Sequence, residues 1–311
     1  MNNFKKIGLT ALAGSLIATS AMAGAMSVSG SASIGTKNNN SGSNGKAWDM
    51  GNQLTFTGGG ELDNGLNVSL SFVIDQGDDT AIGSGPFDSH SLTISSDAMG
   101  SLKFSGEGGS SAQSALDGTA AGDIWDNGFG ISSPKASDAG NNSMLYTLPS
   151  LMDDLAVTAS YSPSRAGQEG ATALGLVYSG VDGLTLTYAT GEDKTIGSQA
   201  DADSMKASYA IGSVTLSASQ TEYDSDTGND DTVTSYNIAY TVSDDLSVGY
   251  GSETHETEGS SVDEEVSGLN VSYTSGGMTI TAASIEAEGI DHTAGASGED
   301  ERWKISASFA F

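Results

Sequence analysis

Apolar and polar side chains alternate one by one along most of this chain. Leu66, Val68, Leu70, Phe72 and Ile74 frame Asn67, Ser69 and Ser71, and the same beat returns in Leu155-Val157-Ala159-Tyr161, Leu174-Leu176-Tyr178 and Leu184-Leu186-Tyr188. It continues in Met205-Ala207-Tyr209-Ile211, Tyr236-Ile238-Tyr240-Val242, Leu246-Val248-Tyr250, Leu269-Val271-Tyr273 and Met278-Ile280-Ala282. A period of two marks a β-strand with one apolar and one polar face, and no helical period competes over a comparable length. Sixteen such segments are counted, and the pattern predicts an all-β protein.

The connections between them alternate as regularly as the residues do. Short ones, such as "DNG" at 63–65, "DAMG" at 97–100, "GVDG" at 180–183, "GS" at 212–213 and "SGG" at 275–277, carry the Gly and Asp that tight hairpins need. Long polar ones fall near 36–51, 75–89, 106–142, 162–170, 190–202, 221–231, 251–265 and 285–300. In an up-and-down meander every second connection lies at the same end, so one end is trimmed and the other elaborate. That is the plan of a transmembrane β-barrel with short turns on one side and long loops on the other. An even strand number brings the last strand, Trp303 to Phe311, back beside the first, Met26 to Ile34, where the two can pair and close the sheet.

Tyrosines and phenylalanines add a membrane signature. Tyr161, Tyr188, Tyr236, Tyr250 and Trp303 are expected toward the loop side, and Tyr178, Tyr240, Tyr273, Phe309 and Phe311 toward the turn side. Two such girdles suit amphipathic rings at two membrane interfaces.

The chain begins "MNNFKKIGLTALAGSLIATSAMA", with Lys5 and Lys6, an apolar run from Ile7 to Ile17 and a small-residue Ala21-Met22-Ala23 site. This reads as a secretory signal peptide over residues 1–23, cleaved after Ala23, with residues 24–311 as the barrel domain. Without its two lysines the chain keeps nine basic residues against 40 acids, a net charge of −31. A surface of that sign makes nucleic acid an improbable partner. Cysteine is absent, which favours a fold closed by its own hydrogen bonds over a disulfide scaffold.

Taken together, the leader, the short-long alternation, the long connection after the fifth strand and the terminal "SFAF" resemble the Gram-negative general porins, especially those of the alphaproteobacterial type. The resemblance covers the whole mature chain. It implies a sixteen-stranded outer-membrane barrel embedded in lipid, a homotrimer, and a water-filled channel for small hydrophilic solutes. It also implies that Trp303, Phe309 and Phe311 form the terminal signal read by the outer-membrane barrel assembly machinery. In the family the third outer loop, here Glu107 to Ser143, folds into the barrel. Trp125 and Phe129 would then pin it to the wall while Asp117, Asp123 and Asp126 face the lumen; a loose surface loop is the competing reading, since its Gly and Ser content permits one. For the trimer, the loop Asp75 to Ser89 would latch onto a neighbour, and the small-residue rows at the two termini would pack wall against wall.

Strand parity supplies the opposing wall. With Leu102 and Phe104 toward lipid, Lys103 faces the lumen, and Lys206, Arg302 and Lys304 follow by the same argument. Nine basic residues cannot build a dense arginine cluster, so the expected selectivity is a preference for cations.

Other motifs are weaker. "DSDTGNDD", Asp224 to Asp231, spaces Asp224 and Asp226 as a calcium loop would, but its glycine stands fifth and no glutamate completes the set. A hydrated acidic loop is the stronger reading, and Glu253, Glu256, Glu258, Asp263, Glu264 and Glu265 are expected to be solvated likewise. His90, His255 and His292 lie far apart in sequence with no triad context, so no enzymatic activity is expected. Cofactors are not required, calcium on the acidic loops being the one conceivable ligand. The competing functions are a substrate-selective outer-membrane channel and a secreted β-rich adhesin or surface-layer protein.

Overall fold

In the computed structural model the chain is a closed barrel, described at residues 26–39, 45–75, 88–114, 116, 118–122, 140–150, 152–164, 169–194 and 199–311. The segment read as a signal peptide lies outside the described residues. The strands are β1 Met26–Asn39, β2 Gly45–Glu61, β3 Asn67–Asp75, β4 Ser89–Ser96, β5 Gly100–Glu107, β6 Ser143–Thr147, β7 Leu155–Ser162 and β8 Ala171–Val181. The second half comprises β9 Leu184–Asp193, β10 Ala200–Ile211, β11 Val214–Ser225, β12 Asp231–Ser243, β13 Leu246–Thr257, β14 Glu264–Ser275, β15 Met278–Glu288 and β16 Asp300–Ala310. Each strand pairs antiparallel with its sequence neighbours, and β1 pairs with β16. The strand number, the up-and-down order and the closure all match the reading of the connections. Closure is what a bilayer demands, because an unpaired sheet edge in hydrocarbon would leave backbone groups with no partner.

The register stacks the apolar half of each strand into a continuous outer belt. Ile238 sits opposite Leu216 on one side and Tyr250 on the other, and Tyr250 in turn opposite Leu269. All four are exposed, as lipid-facing residues are in an isolated barrel. Above the belt the same outward rows turn acidic: Asp201 and Asp203 follow Met205 on β10, and Glu286 and Glu288 follow Ser284 on β15. Carboxylates even stand opposite one another, Asp203 against Glu222, Glu265 against Glu288 and Glu286 against Glu301. Charge on the outer face is costly within hydrocarbon and tolerated above it, so these rows mark the belt's upper edge.

The strands run further than the apolar pattern implied. The first long connection shrinks from 36–51 to the five residues between Asn39 and Gly45, and the last to the span between Glu288 and Asp300. Apolar alternation ends with the belt, but the hydrogen-bond ladder continues into water. For the same reason the loop-side tyrosines Tyr188, Tyr236 and Tyr250 fall mid-strand, with carboxylates above them.

The trimmed end is made by tight turns. At Gly183 the backbone takes φ 74°, and a Cβ there would lie 2.6 Å from the Ala210 carbonyl oxygen. The Ala210 N–H donates to Gly183 O at 2.8 Å, so the turn also ties β10 to the β8–β9 hairpin.

At the seam, Ser31 to Lys37 pair with Ala310 to Lys304. Gly30 and Phe311 exchange both backbone bonds, Gly30 N–H to Phe311 O at 2.8 Å and Phe311 N–H to Gly30 O at 3.0 Å. A side chain at Gly30 would collide with the Phe311 ring, its Cβ 2.6 Å from Cε2, so the missing side chain makes the seat for the terminal ring. The terminal strand thus does not fray, because the first strand holds it through its last residue.

Candidate pore and its constriction

Inward positions are mainly hydroxylic, and many bond across strands: Ser217 to Ser208 at 2.9 Å, Thr221 to Ser204 at 3.1 Å and Thr281 with Ser306 at 2.7 Å. The inner face is not uniformly polar, however. Val73, Val233, Val266 and Ile285 also point inward and are buried. Polar periodicity misses the last three because something else fills the space they face.

That something is the connection after β5. From Gly108 the chain turns into the barrel and crosses the inner wall from β7 to β13. The Ala112 N–H donates to Ser160 Oγ on β7 at 2.8 Å, and Ala112 and Leu116 pack where Gly175 of β8 carries no side chain. Lys206 of β10 reaches the Gly118 carbonyl, Nζ to O 2.6 Å. Two consecutive amides then meet a cross-strand serine pair: Ala120 N–H donates to Ser219 Oγ on β11, and Ala121 N–H to Ser235 Oγ on β12, each at 2.8 Å. Thr119 Oγ1 donates to Glu253 Oε1 on β13, and the Ser235 hydroxyl donates to the same oxygen at 3.1 Å. Ala121 seats in the gap left by Gly251 and packs with Val233, Val266, Ile285 and Ala287. Val233, Val266, Ile285 and Ala287 are therefore the floor on which the loop rests.

These contacts correct two expectations. Glu253 is no solvated loop acid: it is 1% exposed and anchors two hydroxyls. Glu264 is likewise buried, at 5% exposure. Parity placed both on the inner face, and the loops packed over that face exclude the water that a charge-run reading assumes. Glu256 and Glu265, one residue removed from inward neighbours, point outward.

The sequence-predicted pore residues divide into three groups. Asp117, Asp123 and Asp126, with Trp125 and Phe129, lie outside the described residues. Lys206 and Arg302 face inward but are engaged, Lys206 with the loop carbonyl and Arg302 with Asp300 through Nε and Nη2, both 3.0 Å from Oδ2. Lys103 and Lys304 face the lumen and make no ion pair among the described residues. Lys304 stands opposite Lys37, a wall lysine that the strand reading overlooked because it was assigned to the first long loop. In the closed order β1 and β9 are diametrically opposed, so the Lys37–Lys304 pair stands on the wall opposite the one that carries the infolded segment.

The remaining candidates are peripheral. Trp303 and Phe309 share the outward face of β16, Phe311 follows its last residue, and the Trp303 N–H donates to Asn38 Oδ1 at 2.6 Å. Asp224 lies on the outward face of β11 opposite Asp201, and Asp226 is exposed just beyond the strand. The carboxylate turned into that turn is Asp230, whose Oδ1 accepts from Ser225 N–H at 2.9 Å. The "GGG" at 58–60 lies within β2, where a Cβ on Gly59 would meet the Val68 carbonyl at 2.6 Å, a close approach of two backbones.

A closed sixteen-stranded wall with a segment stitched across its lumen is an arrangement that comparison with known proteins bears on directly. The Gram-negative porin family matches residues 8–293. None of the curated proteins compared with the chain matches it. Among solved structures, the Vibrio cholerae outer membrane protein OmpT lacking loop L8 superposes with a TM-score of 0.72 at 16% identity, over 93% of this chain and 99% of that one. OmpT in its trimer form gives 0.67 at 15% identity over 93% and 100%, and an anion-selective porin from Comamonas acidovorans 0.64 at 16% over 92% and 99%. At such identities the likeness is one of fold.

Proposed function

This chain belongs to the Gram-negative porin family and forms a passive-diffusion channel in the bacterial outer membrane, and from that premise we propose that it is a homotrimeric, cation-preferring general porin for small hydrophilic solutes. The observation that carries the reading is the infolded segment, held along β7 to β13 by Ser160, Lys206, Ser219, Ser235 and Glu253, which leaves an aperture bounded by the opposite wall. A lumen partitioned in this way admits solutes by size and charge and asks for no chemistry. The trimer is supported by OmpT, a protein of the same fold solved in trimer form.

Selectivity has opposing contributions. Lys37, Lys103 and Lys304 present positive charge to the lumen, and Asp117, Asp123 and Asp126 of the connection after β5 would oppose them. The wider field decides the sign: nine basic residues against 40 acids leave the outer loops and rim strongly negative, which concentrates cations at the mouth. Salt screens such a field, the Debye length falling from ~10 Å at 0.1 M to ~3 Å at 1 M. Reversal potentials in planar bilayers across a KCl gradient test this. Cation preference should be plain at 0.1 M and fade at 1 M, and Asp117→Asn, Asp123→Asn and Asp126→Asn combined should weaken it without closing the channel. Anion selectivity at low salt would overturn the assignment.

A further inference from the structure

The outer end of the barrel holds a cluster that plays no part in narrowing the lumen. Asp231 opens β12, His255 and Thr257 end β13, Glu264 opens β14, and all four point inward. The segment Ile290–His292, between β15 and β16, lays a second histidine over them. His255 Nδ1 is 2.7 Å from Glu264 Oε2 and its Nε2 is 3.2 Å from Asp231 Oδ1. His292 Nε2 lies 2.9 Å from Thr257 Oγ1, a hydroxyl that also touches Asp231 Oδ1 at 2.6 Å and His255 Nε2 at 3.4 Å. Ligand atoms of His255, Glu264 and His292 all fall within 4.8 Å of one another.

The convergence of its donor atoms makes this more than a polar cluster. His292 Nδ1 faces the Val262 carbonyl at 2.8 Å. A carbonyl only accepts, so Nδ1 donates to it and Nε2 is the nitrogen turned toward the cluster. A backbone carbonyl fixing the tautomer from behind is the usual support of a metal-bound imidazole. His255 is held by a carboxylate at each nitrogen, Glu264 at Nδ1 and Asp231 at Nε2. The cluster is shielded from water, the His255 and Glu264 side chains being only 13% and 6% exposed. A cation seated among His255, Glu264 and His292 would leave Asp231 to orient the other His255 nitrogen. The backbone is bent to supply the second ring: Asp291 and His292 are consecutive non-glycine residues at φ 54°, and the Asp291 N–H is held by Glu264 Oε1 at 2.8 Å.

We propose that His255, His292 and Glu264, with Asp231 orienting the His255 ring through its other nitrogen, form a zinc-class divalent metal site that staples the last outer loop to the β12–β14 rim. Two imidazole nitrogens with carboxylate oxygens suit zinc and its neighbours, whereas calcium takes oxygen ligands alone. Metal–nitrogen distances of about 2.0–2.1 Å require the donors to draw inward by roughly 1 Å, a matter of side-chain rotation.

The test uses tag-free, full-length folded protein in detergent, stripped with EDTA and titrated with zinc chloride by calorimetry. One ion per chain is expected, with affinity falling at least tenfold in His292→Gln and in His255→Gln and unchanged in His90→Gln, whose ring lies on β4. Calcium at equal concentration should not compete. Heat-modifiable migration on gels verifies that each variant is folded, and His292, outside the strand ladder, is the position least able to disturb it. Zinc binding that the His255→Gln/His292→Gln double variant retains, binding that calcium displaces, or no saturable binding at all would each overturn the site.

Discussion

Removing the paired hydroxyls that receive the infolding segment gives the most direct test of how the lumen is narrowed. Ser219 and Ser235 are cross-strand partners and each accepts one of two consecutive amides, Ala120 and Ala121, at 2.8 Å. Replacing both by alanine leaves those N–H groups without their acceptors in the docked state. Each loss costs about 1 kcal/mol where water can reach the site, the low end of the range for an abandoned donor. Ser235 also bonds the Glu253 carboxylate, so a total of about 2–3 kcal/mol is expected. At 1.4 kcal/mol per decade, the undocked population should rise roughly 30- to 140-fold. Because the chain has no cysteine, a single Ala120→Cys substitution converts docking into a rate, that of modification by a small thiol reagent. The Ser219→Ala/Ser235→Ala variant should react faster by about that factor and show larger or noisier single-channel conductance. Barrel melting should change little, since the ladder is untouched. A modification rate within twofold of the parent, with the barrel intact, would refute the view that these hydroxyls hold the segment.

Other outcomes follow from the wall. Gly30→Val should displace the Phe311 ring from its seat and, like deletion of Phe311, is expected to lower the yield of heat-resistant folded barrel with export to the periplasm unaffected; normal yield from both variants would remove any assembly role for that ring. Asp201 lies opposite both Glu192 and Asp224 on the outer face, so Asp201→Asn should stabilise the EDTA-treated barrel by ~0.2–1 kcal/mol, read as a small rise in melting temperature. Each of Lys37→Gln and Lys304→Gln should deepen cation preference, since a charge ~10 Å from the ion path in water contributes ~0.4 kcal/mol, about a twofold change in local ion ratio. An unchanged reversal potential at low salt would place both lysines away from that path.

How much of this was readable from the chain alone follows from the range over which each interaction acts. Alternation is local: once Leu216, Ile238, Tyr250 and Leu269 each sit at even spacing within their strands, a sheet with one apolar face follows, and the regular short and long connections dictate an up-and-down order. With an even strand number, closure between the first and last strands follows too, and the Gly30–Phe311 pair completes it. Sequence could not say where the strands end, because the apolar signal stops at the edge of the belt while the hydrogen-bond ladder runs on; Lys37 was hidden in this way.

The interior was decided only by tertiary structure. Val233, Val266 and Ile285 break the polar inner face, and nothing local explains them until Ala121, more than a hundred residues from the nearest of them, is laid on top. Glu253 and Glu264 look like members of a solvated acidic run, yet burial depends on what packs over a side chain and not on its neighbours in sequence. His255 and His292 come together because the barrel brings β13 beside the loop that follows β15, a proximity set by strand order in space. Charge and periodicity are properties of a segment. Water exclusion and the convergence of donors belong to the assembled wall, and they determine what the pore and its rim can hold.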